Sequence, residues 1–214
     1  GEITARGSIN NQFNMDLHEG ILRVVSDGRR GGTNANHVET FDATDLQHPE
    51  AIDHVLFGEN ENLYATLFLG NKAFFVTFRR TDPFHAFEID DDGNITERAE
   101  FIVSGWNDFF RPALDATRLI GIGVGDDSGS AQSVSLYDIT DLDNAEPLVA
   151  RQGVDADHSW SEAKYDHRAF SVLDGAVEID GPDGGLETGM VLLPFSGWDR
   201  DDEVYRSGVQ IFTY

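Results

Sequence analysis

The sequence predicts an all-β fold, namely a β-propeller with four repeats of about four antiparallel strands each. The first observation is a recurring strand that ends in an aromatic residue followed by an acidic one, at Phe41, Phe87 and Tyr137, which are 46 and 50 residues apart. The second is that short β-rich segments separated by turn residues leave almost no room for helix. Repeats of about 40 to 50 residues with four strands each are typical of a β-propeller.

Each repeat is expected to contain an inner, a second, a third and an outer strand. The aromatic residue ends the third strand, and apolar runs such as "AFFVTF" (73–78) and "RLIGIGV" (118–124) form second strands. Short outer strands are expected at 52–57, 98–103 and 147–154. One four-stranded sheet cannot bury both of its faces, so sheets stacked around an axis cover one another. A β-sandwich also has short alternating strands, but it does not explain why the aromatic and acidic residues at the end of a strand recur at a fixed period.

The predicted blade boundaries place the whole chain, 1–214, in a single propeller domain. The four blades are expected at about 11–57, 60–103, 107–154 and 161–214. Residues 3–7 ("ITARG") align with "FIVSG" at 101–105, so 1–8 are expected to supply an outer strand. That strand either closes the last blade, which would make a ring of four, or is left from a preceding blade of a larger propeller.

Composition limits the classes of partner. With 15 basic and 39 acidic residues the formal charge is −24, which repels nucleic acid and anionic membrane surfaces. Two lysines beside so many carboxylates fit either a salt-adapted (halophilic or marine) organism or a generic acidic secreted protein. The absence of cysteine excludes a disulfide framework, a thiolate nucleophile and a Cys-ligated zinc. No apolar run approaches about 18 residues, so no membrane insertion is expected.

Five segments resemble one group of known proteins. They are "NQFNMDLHEGILRVV" (11–25), "LGNKAFFVTFRRTDP" (69–83), "RLIGIG" (118–123), "SLYDITD" (135–141) and "SEAKYDHRAF" (161–170). In this order they resemble the bacterial and archaeal secreted proteins that contain a C-terminal β-propeller domain. The resemblance implies the architecture and a secreted or cell-surface location, with the signal sequence outside this chain, and it implies no reaction. Arg111 stands where the family pattern has a His.

The turn "DDDGN" (90–94) is the candidate metal site. Asp90, Asp92 and Asn94 offer hard oxygen ligands at alternate positions, which is what a calcium ion requires. The helix-flanked loop of an EF-hand is missing, and Asp, Asn and Gly are also ordinary turn residues. Calcium is therefore the one cofactor that the sequence suggests.

The repeated pairs Thr44-Asp45 and Thr140-Asp141 follow the recurring strand. Because a structural device is repeated along with its blade, these residues are interpreted as caps of the turn between the third and outer strands.

The segment 161–170 occurs once, so it carries the candidate binding residues. Tyr165, Asp166 and His167 are expected to face the central funnel, where a His beside a carboxylate could bind a metal or act as acid and base. The competing interpretation is a polar plug that holds neighbouring blades in register. Further candidates for the funnel or its rim are Asn11, Gln12, Asp82, Asp108, Arg111 and Glu162. Arg79, Arg80 and Asp82 could equally form a salt link between blades.

Two functions follow from these observations. The preferred function is that of an exported, monomeric, non-enzymatic binding or scaffold module. Its ligand would be a protein or a glycan, bound with the assistance of calcium. The alternative is a hydrolase- or lyase-type enzyme that uses the axial funnel. The sequence identifies no catalytic residue, because no nucleophile accompanies Asp166 and His167. A fold alone does not choose between the two classes.

Overall fold

The computed structural model describes residues 1–28, 34–78, 82–103, 105–125, 131–181 and 184–214, without the side chains of Asp82, Ile102, Val103 and Trp106. The chain forms two units, 1–103 with 142–145, and 104–141 with 146–214. Gln12–Asn14 and Glu162–Lys164 form single 3-10 turns, and no helix of the described residues is long and apolar enough to cross a membrane.

The first unit contains two four-stranded antiparallel sheets, each formed by four consecutive strands. The first sheet contains β1 (Met15–His18), β2 (Ile21–Ser26), β3 (Asn36–Asp42) and β4 (Glu50–Phe57). The second contains β5 (Asn62–Leu69), β6 (Lys72–Phe78), β7 (Asp82–Ile89) and β8 (Ile95–Val103). Neighbours in space are neighbours in sequence throughout both sheets, which confirms the predicted four-strand repeat.

The core of the first unit lies between these two sheets. Val25, Val38, Phe75 and Phe87 are completely buried and belong to one apolar cluster. The central strands β2 and β6 are apolar at nearly every position because both of their faces are covered. Burial of such aromatic and branched side chains contributes about 1.5–3 kcal/mol each.

The second unit begins with a third sheet of the same kind. Its strands are β9 (Trp106–Ala113), β10 (Arg118–Val124), β11 (Gln132–Asp138) and β12 (Leu148–Gly153), again in consecutive order. Ile120, Ile122, Val191 and Leu193 are buried together between this sheet and the fourth one.

The fourth sheet differs from the other three. It contains β13 (His158–Trp160), β14 (Ser171–Leu173), β17 (Met190–Asp199) and β18 (Val204–Thr213), and a separate hairpin contains β15 (Ile179–Asp180) and β16 (Leu186–Glu187). Strands β13 and β14 both pair with β17, whose other edge pairs with β18. The expected single inner strand is interrupted by the 3-10 turn between β13 and β14. The Ser161 hydroxyl caps this turn, because it accepts from the amide of Ala163 and donates to the carbonyl of Pro194.

The N-terminal segment also differs from expectation. Residues 3–7, which were expected to form an outer strand, form no strand, and Ser8 makes only an isolated bridge to Asp27. The reason is that the amides of Arg6 and Gly7 donate to side-chain oxygens of Glu39 and Ser26, at 3.0 and 3.1 Å, instead of to a neighbouring backbone.

The first three sheets share one local device, and the first and third sheets share a second. In all three, a register shift between the third and outer strands leaves one extra residue in the outer strand: Ile52, Arg98 or Val149. After the third strand, Thr44 donates through its amide and hydroxyl to Asp42 at 2.9 and 2.6 Å, and Thr140 donates to Asp138 at the same two distances. The repeated threonines therefore cap turns, as the sequence predicted.

Candidate functional site

A cavity of about 700 Å³ lies within the first unit. Its lining includes Arg6 from the N-terminal segment, His37 and His54 from β3 and β4, and Glu97 and Glu100 from β8. The cavity therefore collects residues from both sheets of this unit. Imidazole, carboxylate and guanidinium groups around one opening can hold a ligand through charge and hydrogen bonds.

The two histidines of the cavity contact each other directly. His37 Nδ1 lies 2.9 Å from His54 Nε2, and the rings stack with centroids 5.1 Å apart. Burial, and next the proximity of His54, lower the pKa of His37. His37 therefore favours the neutral form, in which one ring nitrogen carries the proton and donates while the other accepts.

A buried carboxylate fixes the N-terminal segment beside these histidines. Glu39 is only 4% exposed, and one of its oxygens accepts from the backbone N–H of Arg6 at 3.0 Å. The other lies 3.4 Å from the Arg6 guanidinium Nε. Since a buried carboxylate without a partner is costly, this ion pair holds Arg6 at the cavity.

Next to the cavity, His85 is almost completely buried and contacts groups through both ring nitrogens. Its Nδ1 lies 2.9 Å from Glu97 Oε1, and its Nε2 lies 3.1 Å from the Thr77 hydroxyl. Thr77 in turn donates to Glu61 Oε2 at 2.5 Å. The ring also packs edge-on against Phe57, at 5.0 Å between centroids. Hydrogen bonds and packing therefore fix the orientation of the imidazole.

The register shift in β8 places two glutamates on the side of His85. Glu100 pairs with His85 across the sheet, and Glu97 pairs with Phe87, two residues further along β7. Residues 97 and 100 would face opposite sides of a regular strand, but the extra residue Arg98 brings both to one face. A nitrogen of His85 and one oxygen of each glutamate then lie within 4.8 Å of one another, close enough to ligate one metal ion.

The structure places the predicted funnel candidates in two different units. Asn11 and Gln12 belong to the first unit, where the Asn11 side chain caps the 3-10 turn by accepting from the amide of Phe13 at 2.9 Å. Asn11 also lines a smaller cavity of about 320 Å³ with Tyr64. Gln12 is exposed in the turn itself.

Asp82 also belongs to the first unit, and the remaining candidates belong to the second unit, where Arg111 and His167 come together. The Arg111 guanidinium donates to the backbone carbonyl of His167 at 3.0 Å and lies over the ring of Phe170, 5.4 Å from its centroid. The His167 ring lies 6.3 Å from that of Phe109. Burial lowers the pKa of Arg111. Asp108, on the same strand as Arg111, is half-buried.

Asp166 pairs with an arginine that the sequence reasoning did not consider. Arg168 donates to both Asp166 oxygens, each at 3.0 Å, and these bonds lower the pKa of Asp166 to about 2. Glu162 lies exposed in the 3-10 turn, and Tyr165, at its end, is 66% exposed. The geometry thus gives Asp166 a local electrostatic partner.

The predicted calcium turn is held by its own hydrogen bonds. Asp90 Oδ1 accepts from the amides of Asp92 and Asn94, at 3.0 and 2.8 Å, and the Asn94 side-chain N–H groups point at the same carboxylate. These bonds, first of all those from the Asn94 side chain, lower the pKa of Asp90. This is ordinary turn geometry, and the calcium site stays a prediction. Arg79 and Arg80, suggested for a salt link, lie outside the described residues.

The sequence alone does not indicate the histidine cavity, because its members are far apart along the chain. His37 and His54 are 17 residues apart, and His85 and Glu97 are 12 apart. They meet only through strand register. The available signal was the repeat itself, since Glu39, His85 and Ser135 occupy the same position two residues before the recurring aromatic.

Four-stranded antiparallel sheets repeated at a fixed period define a chain of the propeller class. The chain belongs to the family described as the Beta propeller domain, whose model matches residues 1–180.

Similar proteins are known from archaea. An uncharacterised protein of Methanocaldococcus jannaschii is 29% identical over 167 residues, which cover 77% of this chain and 25% of that protein. Another, from Archaeoglobus fulgidus, is 30% identical over 169 residues, covering 77% of this chain and 24% of that protein. The chain thus spans about a quarter of the length of the curated relatives it matches.

A solved structure with a similar fold is that of a candidate 6-phosphogluconolactonase from Bacteroides uniformis. It is 8% identical, with a TM-score of 0.50, and the match covers 92% of this chain and 55% of that protein. This likeness concerns the fold alone.

Proposed function

We propose that the chain is a non-enzymatic binding module of a longer exported protein, and that it takes its ligand at the cavity of His37, His54, Glu97 and Glu100. The family fits a binding or scaffold role, since propellers present a rigid surface on which loops and cavities can vary. The single observation that carries the proposal is this cavity, because it gathers ionisable side chains from two sheets around one opening.

The buried parts of the cavity make it a preorganised site. The His37–His54 contact and the Glu39–Arg6 pair fix polar groups before any ligand arrives. Preorganised polar groups bind with less loss of conformational entropy than mobile surface side chains. A protein segment or a glycan is the proposed ligand, and export follows from the resemblance to secreted propeller proteins. The module is proposed to act as a monomer within its longer chain.

The alternative is a hydrolase or lyase that uses Asp166 and His167 as acid and base. Arg168 keeps Asp166 ionised down to about pH 2, so this carboxylate is poorly suited to donate a proton near neutrality. The contact of Arg111 with the carbonyl of His167 stabilises the segment without involving the imidazole. These contacts favour the polar-plug interpretation of the segment.

The test compares two histidine variants. We expect His54→Gln to abolish binding of an oligosaccharide or a peptide from a defined panel. Binding is measured by NMR chemical-shift changes, once with added zinc and once with an added metal chelator. His48→Gln is the matched control, because His48 is an exposed histidine that pairs with Asp45 away from the cavity. Binding that survives His54→Gln would place the ligand elsewhere. Turnover of a chromogenic ester or glycoside that depends on Asp166 or His167 would establish the enzyme instead.

A further inference from the structure

The hydrogen-bond partners of His85 fix where its proton is. The Thr77 hydroxyl has one proton, and it donates that proton to the Glu61 carboxylate, which can only accept. The Thr77 oxygen must therefore accept from His85, so Nε2 carries the hydrogen of the imidazole. In the neutral ring Nδ1 is then a lone pair, and it faces Glu97 Oε1 at 2.9 Å.

Two acceptors that face each other at this distance repel unless a positive species joins them. An oxygen of Glu100 lies within 4.8 Å of a His85 nitrogen and a Glu97 oxygen, so one metal ion can bind all three residues. Bonds of about 2.0–2.2 Å to one ion require ligand atoms no more than about 4.4 Å apart, so the glutamate side chains would draw closer together on binding.

We infer that His85 Nδ1, Glu97 and Glu100 form a binding site for a divalent transition-metal ion of the zinc type. One imidazole and two carboxylates are borderline-to-hard ligands of the kind that zinc accepts, in contrast to the all-oxygen set expected for calcium. Thr77 and Glu61 supply the outer contact, because a metal-bound histidine normally donates its other N–H to a polar group that fixes the ring.

The ligand set occurs in one sheet of the three that share the repeat. His85, with Glu100 opposite and Glu97 beside it, corresponds to Glu39, His54 and Ala51 in the first sheet. The corresponding residues of the third sheet are Ser135, Arg151 and Leu148. A residue needed only to build a blade would recur with the blade. The combination of one histidine with two carboxylates therefore points to a role specific to this position.

Because Glu97 and Glu100 also line the cavity, an ion bound by three protein ligands would have its open coordination position near the proposed ligand site. The inference rests on the proposed function only in that the metal site and the proposed ligand site share this cavity. An oxygen donor of the ligand could complete the coordination.

The test is zinc binding by the whole chain, measured by isothermal titration after chelator treatment, with cobalt absorption as a second readout. We expect one site in the parent and at least about 10-fold weaker binding in Glu97→Gln and Glu100→Gln, because each loses a charged ligand while keeping its shape. Glu59→Gln is the matched control, since Glu59 lines the same cavity outside the three-ligand group and its variant should bind as the parent does. Thr77→Val should weaken binding by about 10-fold through the outer contact.

Circular dichroism identifies any variant that fails to fold. Absence of stoichiometric zinc binding in the parent, or equal affinity in the Glu97 and Glu100 variants, overturns the inference. If zinc fails to bind while an oligosaccharide or peptide still requires His54, only the metal site is wrong. If zinc binds and no panel member perturbs His54, only the proposed ligand site is wrong.

Discussion

Tyr137 is the one tyrosine among the three recurring aromatic residues, and its hydroxyl has a buried partner. Asn107 Nδ2 donates to the Tyr137 oxygen at 2.8 Å, and Arg151 lies 3.3 Å from the same oxygen. Tyr137 is completely buried and Asn107 is 3% exposed. Phe41 and Phe87 occupy the equivalent positions, so a phenylalanine ring fits this part of the repeat.

We expect Tyr137→Phe to destabilise the protein by about 1–3 kcal/mol, because it leaves the buried Asn107 N–H without its partner. For a chain of this size a loss of about 2 kcal/mol lowers Tm by roughly 4–8 °C. The assay is urea unfolding followed by fluorescence, with thermal unfolding as a second measurement. Tyr64→Phe is the matched control, since Tyr64 is 46% exposed and its variant should stay within about 0.5 kcal/mol of the parent.

The second sheet supplies a compensating change. Leu63 pairs with Thr77 there as Asn107 pairs with Gly123 in the third sheet, so Leu63 and Phe87 correspond to Asn107 and Tyr137. The double variant Asn107→Leu with Tyr137→Phe replaces both polar partners and should recover most of the loss, because it leaves no buried donor unpaired. A single Tyr137→Phe variant within about 0.5 kcal/mol of the parent, or strictly additive single effects, would refute this reasoning.

Two further predictions concern the acidic residues. The folded-state pKa of Asp166, about 2, lies below its ordinary 3.8, so the stabilisation from Arg168 is fully present above pH 3.8 and is lost as pH falls toward 2. Arg168→Met should raise the pKa of Asp166 toward 3.8 in a carboxyl NMR titration, and an unchanged pKa would contradict the assignment to Arg168. Calcium should raise Tm more than magnesium does at constant ionic strength, and Asp90→Asn or Asp92→Asn should remove the difference. An equal rise with every salt would indicate only screening of the −24 charge.

The repeated parts of the fold could be predicted from the sequence because their causes are local. Alternating apolar residues and a terminal aromatic recur in each of the first three sheets, a capping threonine recurs in the first and third, and each of these features has a short-range physical reason. The fourth sheet was less predictable. Its inner strand is divided by a cap at Ser161 that depends on the carbonyl of Pro194, 33 residues away in sequence. The expected outer strand at 3–7 fails for a similar reason, since its amides bind side chains from β2 and β3.

The candidate site could not be predicted in the same way, because its members meet across strands. His85 and Glu100 are neighbours only in the register of β7 and β8, and Glu97 joins them only because Arg98 shifts that register. The same register shift occurs in each of the first three sheets, so the spacing of the repeats does not show it, and the sequence does not identify the extra residue.

The position two residues before the recurring aromatic explains how one scaffold acquires different chemistry. Glu39, His85 and Ser135 are all buried there, and each contacts a polar partner: Arg6, Glu97 and Arg151 respectively. The backbone thus places a buried polar group at the same point of each of these sheets, and the segment beside it, a strand or the N-terminal segment, supplies its partner. An ion pair and a hydroxyl–guanidinium contact satisfy the group internally in two sheets. In the second sheet the partners are two carboxylates beside one imidazole, and among the described residues this is the group whose ligand atoms lie close enough together to hold a cation.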